Sequence, residues 1–279
     1  ILGFAQACGV APESGGEPEE ASAADEVAAP MTYRLPYDST HPFIWDNDSE
    51  YDTFSLPFVM ALAHNGSINL IGISQSPHPY KSSSENYQNI VIAARNSGWR
   101  NIPDATWDLG SHYMTALSRP SSDRIDDTAP LATAPARMIK DKVLSVGTAT
   151  RPVVIGTGGA LTTVASAYLL ALREGRGPEF AAKSAVYAEV GKNGMVQLSE
   201  YNAAMDGWSV HVCMNRLRMV VTQFHDTQEQ DATFMWNYID TLPNNEIGAH
   251  MKYVKAHYPS TYPKGVIGDV PAILSLVFP

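Results

Sequence analysis

Four carboxylates, Asp46, Asp48, Glu50 and Asp52, fall within seven residues. Such a cluster repels itself unless a positive charge sits among it, and its oxygen donors are of the kind calcium and magnesium take. An EF-hand is excluded, because Tyr51 holds the sixth loop position instead of glycine and Pro57 the twelfth instead of glutamate. A solvated acidic turn near a helix N-terminus is the alternative reading of the same residues. A second candidate is the turn Gly156-Thr157-Gly158-Gly159. It has neither the Gly-Lys-Ser/Thr ending of a triphosphate loop nor G-x-G-x-x-G spacing, so it reads as a tight strand-to-helix turn. In the third, Ser199 to Asp206, Glu200 and Asn202 stand two apart. On an extended segment that spacing puts both on one face, and a carboxylate beside a carboxamide suits sugar hydroxyls. An ordinary polar loop is the simpler reading. There is no G-x-S-x-G elbow and no H-E-x-x-H pair.

These residues need elements to hold them. Phe43, Ile44 and Trp45 read as a short buried strand running into the acidic cluster. From Thr53 to His64, Phe54, Phe58, Val59, Leu62 and Ala63 recur at helical spacing. Pro57 fits only the first turn of that helix, which makes Ser55 its expected N-cap. Leu70 to Ile73 reads as a strand buried on both faces, the mark of a parallel sheet. A helix over Ser82–Ser97 follows, ended by Gly98, then a short strand or loop at Asn101–Pro103. Residues 110 to 135 read as a surface excursion of the kind that covers sites. Further on come a helix at Ala136–Ser145, a strand at Pro152–Ile155 and, beyond the glycine-rich turn, a helix with Leu161, Val164 and Leu169 inward. Strands at Ala185–Glu189 and Met219–Gln223 and helices at Trp208–Cys213 and Thr233–Leu242 complete the pattern. This alternation predicts an α/β fold, an open, mainly parallel sheet with helices on both faces. Ligands of such sheets bind outside the carboxyl ends of the strands. The acidic cluster, the glycine-rich turn and Asp269 are all expected there.

The chain has 279 residues, 44% hydrophobic and 17% charged, enough for one large domain over residues 33–279. Residues 1–32 are rich in Ala, Gly, Pro and Glu and read as a disordered acidic tether. The formal charge of −10 argues against a nucleic-acid partner. Cys8 and Cys213 are too few for a disulfide framework or a thiolate zinc site. No apolar run approaches the roughly 18 residues that span a bilayer. The opening ILGFAQACGV reads as the end of an export signal or as a lipid-modified Cys8, placing the protein at the cell envelope, or else as an arbitrary start.

Taken in order, these segments resemble the nucleoside hydrolase family, whose members prefer inosine and uridine and cleave the N-glycosidic bond of ribonucleosides. The family's D-x-D-x-G-x-D-D motif is matched by Asp46-Asn47-Asp48-Ser49-Glu50-Tyr51-Asp52-Thr53, and its V-x-T-G-G-L-T-N turn by residues 155 to 163. Its G-N and E-F-N-x-x-x-D segment is similar to Asn193 followed by Glu200-Tyr201-Asn202 and Asp206, and its late Asp-Pro to Asp269-Val270-Pro271. The resemblance runs over residues 42 to 279 and implies an open α/β sheet. It further implies calcium held by Asp48, the Thr157 carbonyl and Asp269, with Asp48 also the general base toward the attacking water. By the same resemblance Asp52, Asn193, Glu200 and Asn202 contact the ribose hydroxyls, Asp46 is a supporting carboxylate, and the substrate is a small nucleoside or riboside.

The chain departs from the family at several positions. Thr53 replaces an Asp that binds the metal through both oxygens, and Glu50 replaces the motif glycine. Ser76-Pro77-His78-Pro79 stands where the family has V-A-G-N, and Gly268 where a His often precedes the late Asp. The family also continues past the position of Pro279, which implies a truncated C-terminus. Losing one full negative charge weakens a calcium cage. Two functions therefore compete, a calcium-dependent N-riboside hydrolase and a non-catalytic relative of the same fold that binds a sugar or nucleoside.

Overall fold

The computed structural model describes residues 36–48, 55–76, 84–106, 116–192, 195–223 and 238–257, together with 273, 276 and 277. The tether expected over residues 1–32 lies outside them, as does most of the helix expected at Thr233–Leu242.

Among the described residues seven strands form one sheet: β1 (Pro42–Asn47), β2 (Asn69–Gln75), β3 (Ala105–Thr106), β4 (Val153–Thr157), β5 (Ser184–Lys192), β6 (Met195–Val196) and β7 (Met219–Gln223). Their order is β3-β2-β1-β4-β5-β6, with β7 also paired to β5. Every pairing is parallel except the hairpin of β5 with β6. All six residues of β1 and all five of β4 are buried. A strand with no exposed face must be covered from both sides.

Eight helices supply the cover among the described residues. They are α1 (Ser55–His64), α2 (Ser84–Asn96), α3 (Ala134–Val146), α4 (Thr162–Arg173), α5 (Gly177–Lys183), α6 (Tyr201–Met205), α7 (Gly207–Arg216) and α8 (Glu246–His257). Strand alternation sorts the core into two halves. Phe43, Trp45, Val154 and Tyr187 pack with Val59 and Met60 of α1, Ile90 and Val91 of α2, Ile247 of α8, and Ile273 and Leu276. Ile44, Val153, Ile155 and Val186 pack with Ile139 and Val143 of α3, Val164 of α4, Phe180 of α5 and Val210 of α7.

Helix ends follow local chemistry. Thr133 caps α3 by accepting the Ala136 N–H, with Pro135 in the first turn. Gly98, at φ +85°, stops the chain just past α2, as glycine does most readily. Ser55 begins α1 as its first helical residue. The described part of the excursion expected over 110–135, residues 116–135, is anchored more deeply than a surface loop: Leu117, Ile125 and Thr128 are buried, and Arg173 donates to the Thr128 carbonyl.

β1 is followed in the sheet by β2 on one side, whereas β4 is followed by β5 on the other. The strand order therefore reverses between β1 and β4. In open α/β sheets it is at such a reversal, outside the carboxyl ends of the strands, that ligands bind.

Candidate functional site

At that reversal the register aligns Ser74 of β2, Asp46 of β1 and Thr157 of β4 in one row across three strands. All three are fully buried. Ser74 Oγ donates to Asp46 Oδ1 at 2.6 Å. Asp46 Oδ2 and Thr157 Oγ1 have no partner among the described residues. Burial pushes the Asp46 carboxyl up to about 7, against the opposing pull of the Ser74 hydrogen bond. Asp46 is thus part of the sheet rather than of a loop.

Asp48, one residue beyond β1, is 2% exposed. The glycine-rich turn closes directly on it. Gly158 N–H donates to the Asp46 carbonyl at 3.0 Å. A Cβ on Gly159 would sit 2.6 Å from Ser76 Oγ, 2.8 Å from Asp48 Cβ and 3.0 Å from Asp48 Cγ. Glycine is required there for close approach. Two stretches far apart in sequence therefore meet at the carboxyl ends of β1 and β4.

The third candidate segment is not extended. Glu200 is the N-cap of α6, and its Oε2 accepts the Ala203 N–H at 3.1 Å, while Asn202 lies within the helix. A carboxylate followed by three helical residues won over strand spacing because its oxygen satisfies an otherwise orphaned N–H. Asn202 Nδ2 donates to the carbonyls of Gly158 at 3.3 Å and Glu189 at 3.1 Å, tying the glycine-rich turn to β5. Asp206 caps α7 through Ser209 N–H at 2.9 Å. Its other oxygen accepts from Thr162 Oγ1 at 2.7 Å and Leu117 N–H at 2.9 Å. It braces the helix that follows the turn.

Asp46, Asp48 and Thr157 thus lie at the carboxyl ends of β1 and β4, and Asn202 is tied to the turn beside them through the Gly158 carbonyl, while Glu200 is held as the α6 cap. Asp52, Asn193 and Asp269 lie outside the described residues, as do Glu50 and Thr53. Sequence reasoning missed Glu189, a fully buried carboxylate near the end of β5; its signal was a lone charge in the apolar run AVYAEVG. It also missed Asn47 and Gln75, both buried beside Asp48.

Among the described residues no trio of His, Cys, Asp and Glu stands ready to hold a metal. Asp48 and Thr157 are the described members of the expected calcium set. Three oxygens there, Asp46 Oδ2, Ser76 Oγ and Thr157 Oγ1, are buried with no partner among the described residues. That chemistry fits a hard cation rather than zinc or copper. Cys213 is buried elsewhere in the core, and burial holds its thiol protonated well above the usual range. Two cavities belong to other regions. A groove of about 810 Å³ includes Thr40, Asn69 and Arg151, around the amino ends of β1, β2 and β4, and an apolar cavity of about 220 Å³ lies between Phe58, Trp99 and Met251.

No family model matches the chain, and no curated protein matches it. Solved structures do. One is a nucleoside hydrolase-related hypothetical protein from Saccharophagus degradans that is associated with carbohydrate metabolism. The TM-score is 0.53 at 17% identity, over 85% of this chain and 55% of that one. The chain thus spans about half the length of that structure. Another is the effector protein XOO4466, with TM-score 0.54 at 11% identity, covering 85% of this chain and 80% of the other. At such identities the likeness is one of fold, and the chain shares the α/β fold of a nucleoside hydrolase-related protein.

Proposed function

We propose that the protein hydrolyses the N-glycosidic bond of ribonucleosides or related N-ribosides, with calcium as cofactor. The observation that carries this reading is the closure of the Gly158-Gly159 turn on Asp48 at the point where the strand order reverses. Asp48, the Thr157 carbonyl and Asp269 would hold calcium. When bound, the ion would supply Lewis acidity and lower the pKa of the attacking water.

The remaining work falls to the chain's own groups. Asp48, nearly excluded from solvent, takes the proton as water attacks the anomeric carbon. Both hydrogens of the Asn202 amide are committed to backbone carbonyls, so toward the ribose it offers Oδ1 as an acceptor for a hydroxyl. Asp52, Asn193 and Glu200 complete the sugar contacts. Asp46 shares the Asp48 strand end and, below about pH 7, is a neutral acid that adds no further negative charge.

The test incubates the purified protein with inosine, uridine and a nitrophenyl riboside, in calcium and in chelator. Ribose release that needs calcium and is abolished in Asp48→Ala is the expected result. No release from any of the three, with no calcium bound by calorimetry, refutes the reading.

A further inference from the structure

We propose that Asn47 and Gln75 are positioning residues that clamp the peptide groups on either side of Asp48 and so aim its carboxylate, an inference that rests on the hydrolase reading above. Asn47 is the last residue of β1 and fully buried. By alternation its side chain shares the Trp45 face, and there Asn47 Nδ2 donates to Ser55 Oγ, at the start of α1, at 2.7 Å. Asn47 Oδ1 accepts the Asp48 N–H, also at 2.7 Å. The orientation of the amide is dictated by this neighbour. A peptide N–H only donates, so the oxygen must face Asp48 and the nitrogen must face Ser55.

Gln75 stands in register with Asn47 on the neighbouring strand. Its Nε2 donates to the Asp48 carbonyl at 3.3 Å. Ser76 N–H donates to the Asn47 carbonyl at 2.9 Å, carrying the ladder between β1 and β2 to the residue before Asp48. Asp48 has left the sheet, where backbone freedom normally returns. Here both of its peptide groups are held, one from its own strand end braced on α1 and the other from β2. Gly159, in the turn after β4, lies so close that it leaves no room for a side chain beside the Asp48 Cβ. A general base so enclosed depends on its angle of approach, and a misplacement of about 1 Å costs roughly 100-fold in rate.

The experiment compares wild type, Asn47→Ala and Gln75→Met, reading exchange of the Asp48 amide by NMR, calcium affinity by calorimetry, and kcat and KM on a nitrophenyl riboside. Asn47→Ala is expected to speed Asp48 amide exchange and to lower kcat about 10- to 100-fold, with KM changed less than about 3-fold, as when supporting partners of a site are removed. Gln75→Met keeps a similar side-chain volume and is expected to lower kcat about 10-fold; it decides the matter if Asn47→Ala does not fold. Variants that keep wild-type kcat and calcium affinity overturn the clamp while leaving the hydrolase reading in place. A wild type that neither releases ribose nor binds calcium overturns the hydrolase reading itself, and the clamp's catalytic role with it.

Discussion

Gly159→Ala tests the contact on which the site depends. The added methyl would lie 2.6 Å from Ser76 Oγ and 2.8 Å from Asp48 Cβ. Ser76 can rotate its hydroxyl away, but Asp48 Cβ is fixed to a backbone hydrogen-bonded on both sides. Either the turn or Asp48 must give by several tenths of an ångström. Overpacking of this kind costs about 1–3 kcal/mol, and the displacement falls on the general base, so kcat should drop at least ~10-fold. Gly66→Ala is the matched control. Gly66 has φ +79° and nothing within 4 Å of a Cβ, so alanine there costs about 1–2 kcal/mol of backbone strain remote from the chemistry. Urea unfolding and initial rates at saturating riboside should show both variants destabilised and only Gly159→Ala slowed. A Gly159→Ala protein with wild-type stability and rate would refute the packing of the turn on Asp48.

Further outcomes follow from buried acids and the thiol. With its carboxyl at about 7 against an ordinary 3.8, Asp46 binds more proton folded than unfolded, so its stabilising effect is complete below pH 4 and is lost as pH rises through 7. The loss is about 4 kcal/mol in chelator, and Asp46→Asn should flatten that slope in urea titrations at pH 4, 6 and 8; an unchanged slope contradicts it. Asp206→Ala removes three hydrogen bonds, from the Ser209 N–H that makes the α7 cap, the buried Leu117 N–H and the Thr162 hydroxyl, and should cost about 3 kcal/mol. A change under about 1 kcal/mol in the same urea assay would contradict the bracing role. Cys213, fully buried with its thiol pushed up, should resist alkylation until the protein unfolds; peptide mapping that finds it labelled in the native state would count against that burial.

The sheet was legible because its strands are apolar on both faces. Phe43-Ile44-Trp45 and Leu70 to Ile73 admit no solvent side, and this alone argues for parallel neighbours. Pairing was harder. Nothing in the sequence states that β1 lies against β4, so the meeting of Asp48 with Gly159 rested on general rules about strand ends. Helices α5, α6 and α8 escaped notice for local reasons. α5 is seven residues long, and α8 contains Gly248, which lowers helix propensity. α6 is announced only by Glu200, whose role as a cap looks in sequence like half of a sugar-binding pair. Asn47 and Gln75 were unreadable because a neutral amide shows its value only once its partners are in place.

The edge strand β3 spans two residues. Among the described residues that edge exposes only a two-residue run of peptide groups, too short a stretch for a second copy to template upon. Over this described flank, the sheet that gathers Asp46 and Thr157 in its middle strands offers little to a ribbon growing by strand addition.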